Sequence, residues 1–176
     1  MNARVTTAEL KRQLFGADLT TYALLDGASI PGLPKMFAIH QPDHVCLLRG
    51  ELDADLAAAA PYLVKLDADS PFADFVLSGW GEHWGVFALT QAKLRELRKH
   101  FRTFLMVRDP SGKPMYFRYY DPRVLRIYLP TCNEDEADAV FGPVARYVME
   151  GEDPMQMVKF WIEYGAIKQQ LAALKA

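Results

Sequence analysis

The residues best suited to chemistry form one run, Phe117-Arg118-Tyr119-Tyr120-Asp121-Pro122-Arg123. Arg118 and Tyr120 alternate along an expected strand. Asp121-Pro122 then opens a helix, with Asp at the N-cap and Pro in the first turn. In an active site Arg118 would clamp an anion. In a structural role, Arg118, Asp121 and Arg123 would form a charged pair or cap that fixes the strand-to-helix corner, because Asp-Pro is good helix-start chemistry in its own right. The structural role is the expected one for Arg118, Tyr120, Asp121 and Arg123, and no catalytic residue is assigned. An enzymatic reading would use Arg118, Asp121 and a histidine such as His83, and it requires a deep polar pocket containing those groups.

Other motifs fail on spacing. Ser111-Gly112-Lys113 ends like a phosphate loop, but Val107 stands where the first Gly belongs and Pro114 replaces Ser or Thr. Gly79, Gly81 and Gly85 have the wrong spacing for a dinucleotide fingerprint, and Trp80 and Trp84 would crowd a pyrophosphate. The four serines, Ser29, Ser70, Ser78 and Ser111, sit in no nucleophile context. His40 and His44 have metal-ligand spacing for a helix, yet Pro42 lies between them. Cys46 lies in an apolar run and reads as a small core residue; Cys132 follows a helix end and reads as more exposed. No cofactor and no metal site is expected.

Composition agrees with a globular protein that does not seek polyanions. Hydrophobic residues make up 51% of the 176 positions, and 20 basic residues oppose 22 acidic ones. Two distant cysteines give no disulfide framework. The opening residues, Met1-Asn2-Ala3-Arg4, begin no apolar signal segment, and no apolar run is long enough to span a bilayer, so a cytoplasmic location is expected.

Strand and helix signals must then position these residues. Thr7 to Phe15, Pro71 to Ser78, Gln91 to Phe104 (capped by Thr90), the run after Asp121-Pro122, and Glu134 to Phe141 read as helices, and Asp53 to Ala60 reads as a short helix or turn. Thr21 to Asp26, His44 to Leu48, Tyr62 to Leu66, Trp84 to Leu89 and Val144 to Met149 read as strands. Thr103 to Arg108 and Met115 to Tyr119 flank strong turn chemistry, Asp109-Pro110-Ser111-Gly112, and read as a hairpin. The expected fold is α/β (α+β): one domain with a mixed sheet flanked by helices over residues 1–150, and a C-terminal helical extension over 151–176.

That extension carries the candidate partner-binding residues. Trp161, Tyr164, Ile167 or Lys168, Leu171 and Leu174 recur at three- and four-residue steps, and Met149, Met155 and Met157 precede them. The spacing predicts an amphipathic helix from Trp161 to Leu174. It would either pack on its own domain or offer an apolar stripe to a partner, where aromatics and methionines make good anchors.

Several segments occur in the order of one bacterial family: Tyr22-Ala23-Leu24-Leu25-Asp26, Ala60-Pro61-Tyr62-Leu63-Val64, Gly79-Trp80-Gly81 with Trp84-Gly85, Leu97-Arg98-Lys99-His100-Phe101, and the run from Phe117 through Leu125. Over roughly residues 20 to 142 the chain resembles the domain of unknown function 4123 family. The resemblance implies an adaptor or chaperone that binds a type VI secretion effector and helps load it onto the VgrG spike, often through a PAAR-type region. It implies no agreed catalytic residues, while the balanced charge and the lack of a bilayer-length apolar run lead to the expectation of no nucleic-acid or membrane partner. Two alternatives remain: an immunity protein that binds a toxin, and a small enzyme with an unrecognised site.

Overall fold

The computed structural model describes residues 5–16 and 18–176. The opening Met1 to Arg4, read above for a signal segment, lie outside the described residues. The chain enters a helix, α1 (Thr7–Leu14), capped by Thr6, whose hydroxyl accepts the Glu9 N–H at 3.3 Å. β1 (Thr20–Asp26) is buried from Thr21 onward, as its uninterrupted apolar run predicts. α2 (Leu33–His40), β2 (His44–Cys46), α3 (Ala54–Ala59), β3 (Pro61–Leu66) and α4 (Pro71–Ser78) follow. α3 starts on the Asp53 side chain, and α4 on Ser70 with Pro71 in its first turn.

β4 (Gly85–Thr90) precedes α5 (Leu94–Thr103). Thr90, the cap expected from the sequence, ends β4 instead. Its hydroxyl donates to the Pro143 carbonyl at 2.5 Å and accepts the Ala92 N–H at 2.9 Å, and α5 starts beyond Lys93. The expected hairpin is present but short, as β5 (Met106–Arg108) and β6 (Pro114–Tyr116). α6 (Pro122–Tyr128) begins on Asp121, and α7 (Glu134–Phe141) on a capping box made by Asn133 and Glu136. β7 (Arg146–Glu150), β8 (Gln156–Glu163) and β9 (Ala166–Ala173) complete the chain.

Seven strands form one sheet in the order β2-β3-β1-β4-β7-β8-β9, and β5-β6 stands apart. The class is the expected one, α+β in a single domain. Where the sequence suggests mixed pairing, each ladder is antiparallel. Both faces of the sheet are covered. Tyr22, Leu24 and Tyr147 point to a core shared with Leu97, Phe101 and Phe141. Ala23, Leu25 and Val148 point to a second core with Leu10, Phe37 and Phe72. This double coverage explains why β1 shows no polar alternation.

The expected C-terminal amphipathic helix is absent. Residues 156–173 form the β8–β9 hairpin, in register from Gln156↔Ala173 to Glu163↔Ala166. Two physical signals outweigh the helical spacing. Met157, Lys159 and Trp161 alternate with Val158, Phe160 and Ile162, so β8 can bury side chains on both sheet faces. Tyr164 and Gly165 both hold positive φ, 51° and 74°, which makes the two-residue turn that joins twisted strands. β8 also pairs with β7, so the segment expected as a helical extension, residues 151–176, instead contributes two strands to the sheet.

Candidate functional site

The end of β1 and the start of α6 meet in a polar corner. The Arg118 guanidinium donates to Asp26 Oδ2 at 2.7 Å and lies 3.4 Å from Asp121 Oδ2. Arg123 grips Asp121 with two bonds, Nε to Oδ1 at 3.0 Å and Nη2 to Oδ2 at 2.9 Å. Both carboxylates are buried while both guanidiniums reach solvent. Burial works against ionisation of Asp121, but the Arg123 bonds and the nearby Arg118 charge outweigh it and hold the carboxyl below its ordinary value. Tyr120 is buried beside them, and burial raises its hydroxyl pKa.

The expected linkage of Arg118, Asp121 and Arg123 is therefore present, and Asp26 is the partner that sequence reasoning missed. Asp26 has further bonds: it accepts the Ala28 N–H at 3.1 Å and the Ser29 hydroxyl at 2.9 Å, closing the turn after β1. Its position at the end of Tyr22-Ala23-Leu24-Leu25-Asp26 was the available signal, since a buried acid after an apolar strand needs a cation or a set of N–H donors.

A second buried acid, Glu150, lies next to this corner. One oxygen accepts the His83 backbone N–H at 2.8 Å. The other lies 3.5 Å from His83 Nδ1, and neither atom has a hydrogen-bond partner. Burial pushes the Glu150 carboxyl up to about 7, against N–H groups that favour its charge. Burial also lowers His83, helped by the Arg123 charge. Burial thus disfavours the charged form of both groups and weakens their ion pair. His83 holds a positive φ of 58°, a conformation rarely adopted by residues other than glycine. His83 feels the charge of Asp121, which in turn lies 3.4 Å from Arg118, so the three groups of the enzymatic reading share one region. The hollow bordering Glu150 is walled by Trp80, Trp84 and Phe87 and holds about 10 Å³, room for about one water.

The candidate partner-binding residues fall into three groups. Met157 is fully buried and Leu174 is 6% exposed; both belong to the core on the α1 side of the sheet. Their expected role at an interface is corrected to core packing: strand alternation turns Met157 inward, and Leu174, just past the end of β9, is held by its N–H bond to the Met155 carbonyl at 2.8 Å. Tyr164, 98% exposed at the hairpin tip, and Leu171, 58% exposed on β9, face solvent. Trp161 is half-buried on β8, opposite Lys168. β9 ends the sheet, so among the described residues its outer edge has no partner strand.

Trp80 and Trp84 are half-buried against the core, and the Trp80 indole donates to the Pro154 carbonyl at 2.7 Å. The glycines around them have a steric purpose: a Cβ at Gly79 would overlap the Trp84 ring, and one at Gly85 would strike the Leu24 carbonyl. Cys46 and Cys132 are both half-buried, and burial raises both thiols. Cys132 is less open than its position after a helix suggests. Among the described residues no group of three or more His, Cys, Asp and Glu side chains is placed to hold a metal ion. Among them, too, no helix is long and apolar enough to cross a membrane.

These features define an α+β sheet protein with a salt-bridged corner between its first strand and its sixth helix and an open sheet edge at its C-terminal hairpin. The chain matches the family model described as Domain of unknown function (DUF4123) over residues 21–139, and it belongs to that family. The match includes the whole polar corner, from Asp26 to Arg123, and ends before the β8–β9 hairpin. No curated protein and no solved structure matches the chain significantly.

Proposed function

We propose that this protein is a cytoplasmic adaptor that binds a type VI secretion effector and assists its loading onto the VgrG spike or a PAAR-type tip, with no catalysis of its own. Family membership over residues 21–139 carries this reading. The surface supports it. β9 presents an unpaired edge that a client strand can extend, and Tyr164 and Leu171 stand exposed beside that edge. The salt-bridged corner of Asp26, Arg118, Asp121 and Arg123 holds the family segments together and serves as scaffold.

Deletion of the gene tests the proposal. The effector should then be lost from affinity-purified VgrG while VgrG itself stays abundant. An effector that still co-purifies with VgrG in the deletion strain contradicts it. Self-poisoning of the deletion strain by the effector would instead identify an immunity protein.

A further inference from the structure

α5 has two opposed faces. Leu94, Leu97 and Phe101 turn to the core, while Arg95, Arg98, Lys99 and Arg102 recur at the i, i+3, i+4 and i+7 positions of the other face. Like charges at these spacings repel and weaken a helix, so the stripe does not serve the helix itself. Lys93 and Arg49 join it around a hollow of about 620 Å³ in which Glu96 is the one acid. Six of the chain's 20 Lys and Arg residues thus line one hollow of a protein whose formal charge is −2. Among the described residues no ion pair engages any of the six.

Arg102 fixes the shape of the site. Its guanidinium donates to the carbonyls of Cys46 at 2.8 Å, Leu47 at 3.1 Å and Leu48 at 3.1 Å, tying the segment after β2 to α5. Burial, and to a lesser degree the charges of Arg98 and Arg49, lower its pKa. A second hollow of about 300 Å³ shares Arg49 and Arg102, and its other walls are apolar: Leu48, Leu52, Leu56, Met106 and Tyr116 among them. Leu56, Met106 and Tyr116 are exposed, Tyr116 by 60%.

We infer that these joined hollows seat a segment of the partner protein that carries apolar side chains next to Asp and Glu. Guanidinium forks match carboxylates, and the apolar half takes the hydrophobic side chains of the same segment. A nucleic-acid backbone would engage the cations and leave the apolar half unused. The inference rests on the adaptor reading for the partner's identity, and it adds the surface and the chemistry of recognition.

The test is a photo-crosslink in the native bacterium, with benzoylphenylalanine placed at Tyr116 of the full chain. The expected adduct is with an effector or spike protein, through a peptide that bears Asp or Glu beside apolar residues. Arg95→Glu with Lys99→Glu should cut the adduct about tenfold or more at an unchanged melting temperature. Both side chains are exposed, and Arg102, which holds the loop, is left intact. An adduct with nucleic acid, with a second copy of this chain or with a segment lacking acids overturns the inference, as does an undiminished adduct in the charge-reversed variant. If the tagged chain still co-purifies with an effector while position 116 gives no adduct, this inference fails and the adaptor reading stands. If neither is seen, both fail.

Discussion

The Arg118 guanidinium lies 2.7 Å from the Asp26 carboxylate, a partner ninety-two positions earlier in the chain. That bond joins the last residue of the interior strand β1 to the segment that leads into α6. Asp26 also closes the turn after β1, so one buried carboxylate sets both the strand exit and the docking of a distant helix.

Two substitutions separate these roles. Asp121→Ala removes the cap of α6 and both Arg123 bonds, at a cost of about 1–2 kcal/mol. Asp26→Ala should cost more, about 2–3 kcal/mol. Most of that comes from unsatisfied groups at the turn, since Arg118 is half-exposed and solvent screens its ion pair. Urea unfolding of the two variants checks the order; a stability equal to wild type for Asp26→Ala contradicts the account.

Glu150 should make stability depend on pH. Its folded pKa, about 7, lies above the ordinary 4.5, so its contribution is fully present below about pH 4.5 and is lost as pH rises through about 7. The whole shift corresponds to about 3 kcal/mol at most. His83, lowered by burial, acts in the opposite sense as pH falls. Glu150→Gln keeps an acceptor for the His83 N–H and removes the titration. It should raise the melting temperature at pH 8 and change it little at pH 5. An equal shift at both values rules out titration of Glu150 as the cause.

Leu171 and Leu174 should behave differently. Leu174→Asp places a charge in the core and should cost more than about 3 kcal/mol or abolish soluble expression. Leu171→Asp, on the exposed side of β9, should change stability by about 0.5 kcal/mol or less and weaken client capture. Expression yield, melting curves and co-purification distinguish the two. Similar instability in both would place Leu171 in the core.

Tyr164 holds a left-handed conformation at the hairpin tip while its ring stands in solvent. Tyr164→Asn should stabilise the turn by about 0.5–1 kcal/mol, because Asn tolerates this conformation better. If the ring anchors a client, the same variant binds the client less well. A more stable variant with unchanged capture would confine Tyr164 to the turn.

The sequence marked the helices well where local chemistry decides. Ser70-Pro71, Asp121-Pro122 and Asn133 with Glu136 set the starts of α4, α6 and α7 through caps that involve near neighbours. It misled at the tail because Trp161, Tyr164, Leu171 and Leu174 fit the spacing of a helical stripe, and pairing of β9 with β8 overrides that pattern. The Tyr164-Gly165 turn and the alternation through Val158, Phe160 and Ile162 were the contrary signals. The Asp26–Arg118 bond was not legible, since nothing local links residues so far apart. The stripe of Arg95, Arg98, Lys99 and Arg102 was legible from its spacing, but its union with Leu56, Met106 and Tyr116 depends on the tertiary fold.

The most direct test of the adaptor reading is a pull-down of the tagged full chain from its native cells, with the captured proteins identified by mass spectrometry. The account predicts recovery of a VgrG or PAAR-type spike protein or a large toxin, at a level that falls when Arg95→Glu and Lys99→Glu are combined. Recovery of neither class, from a bait that is folded and abundant, would contradict it.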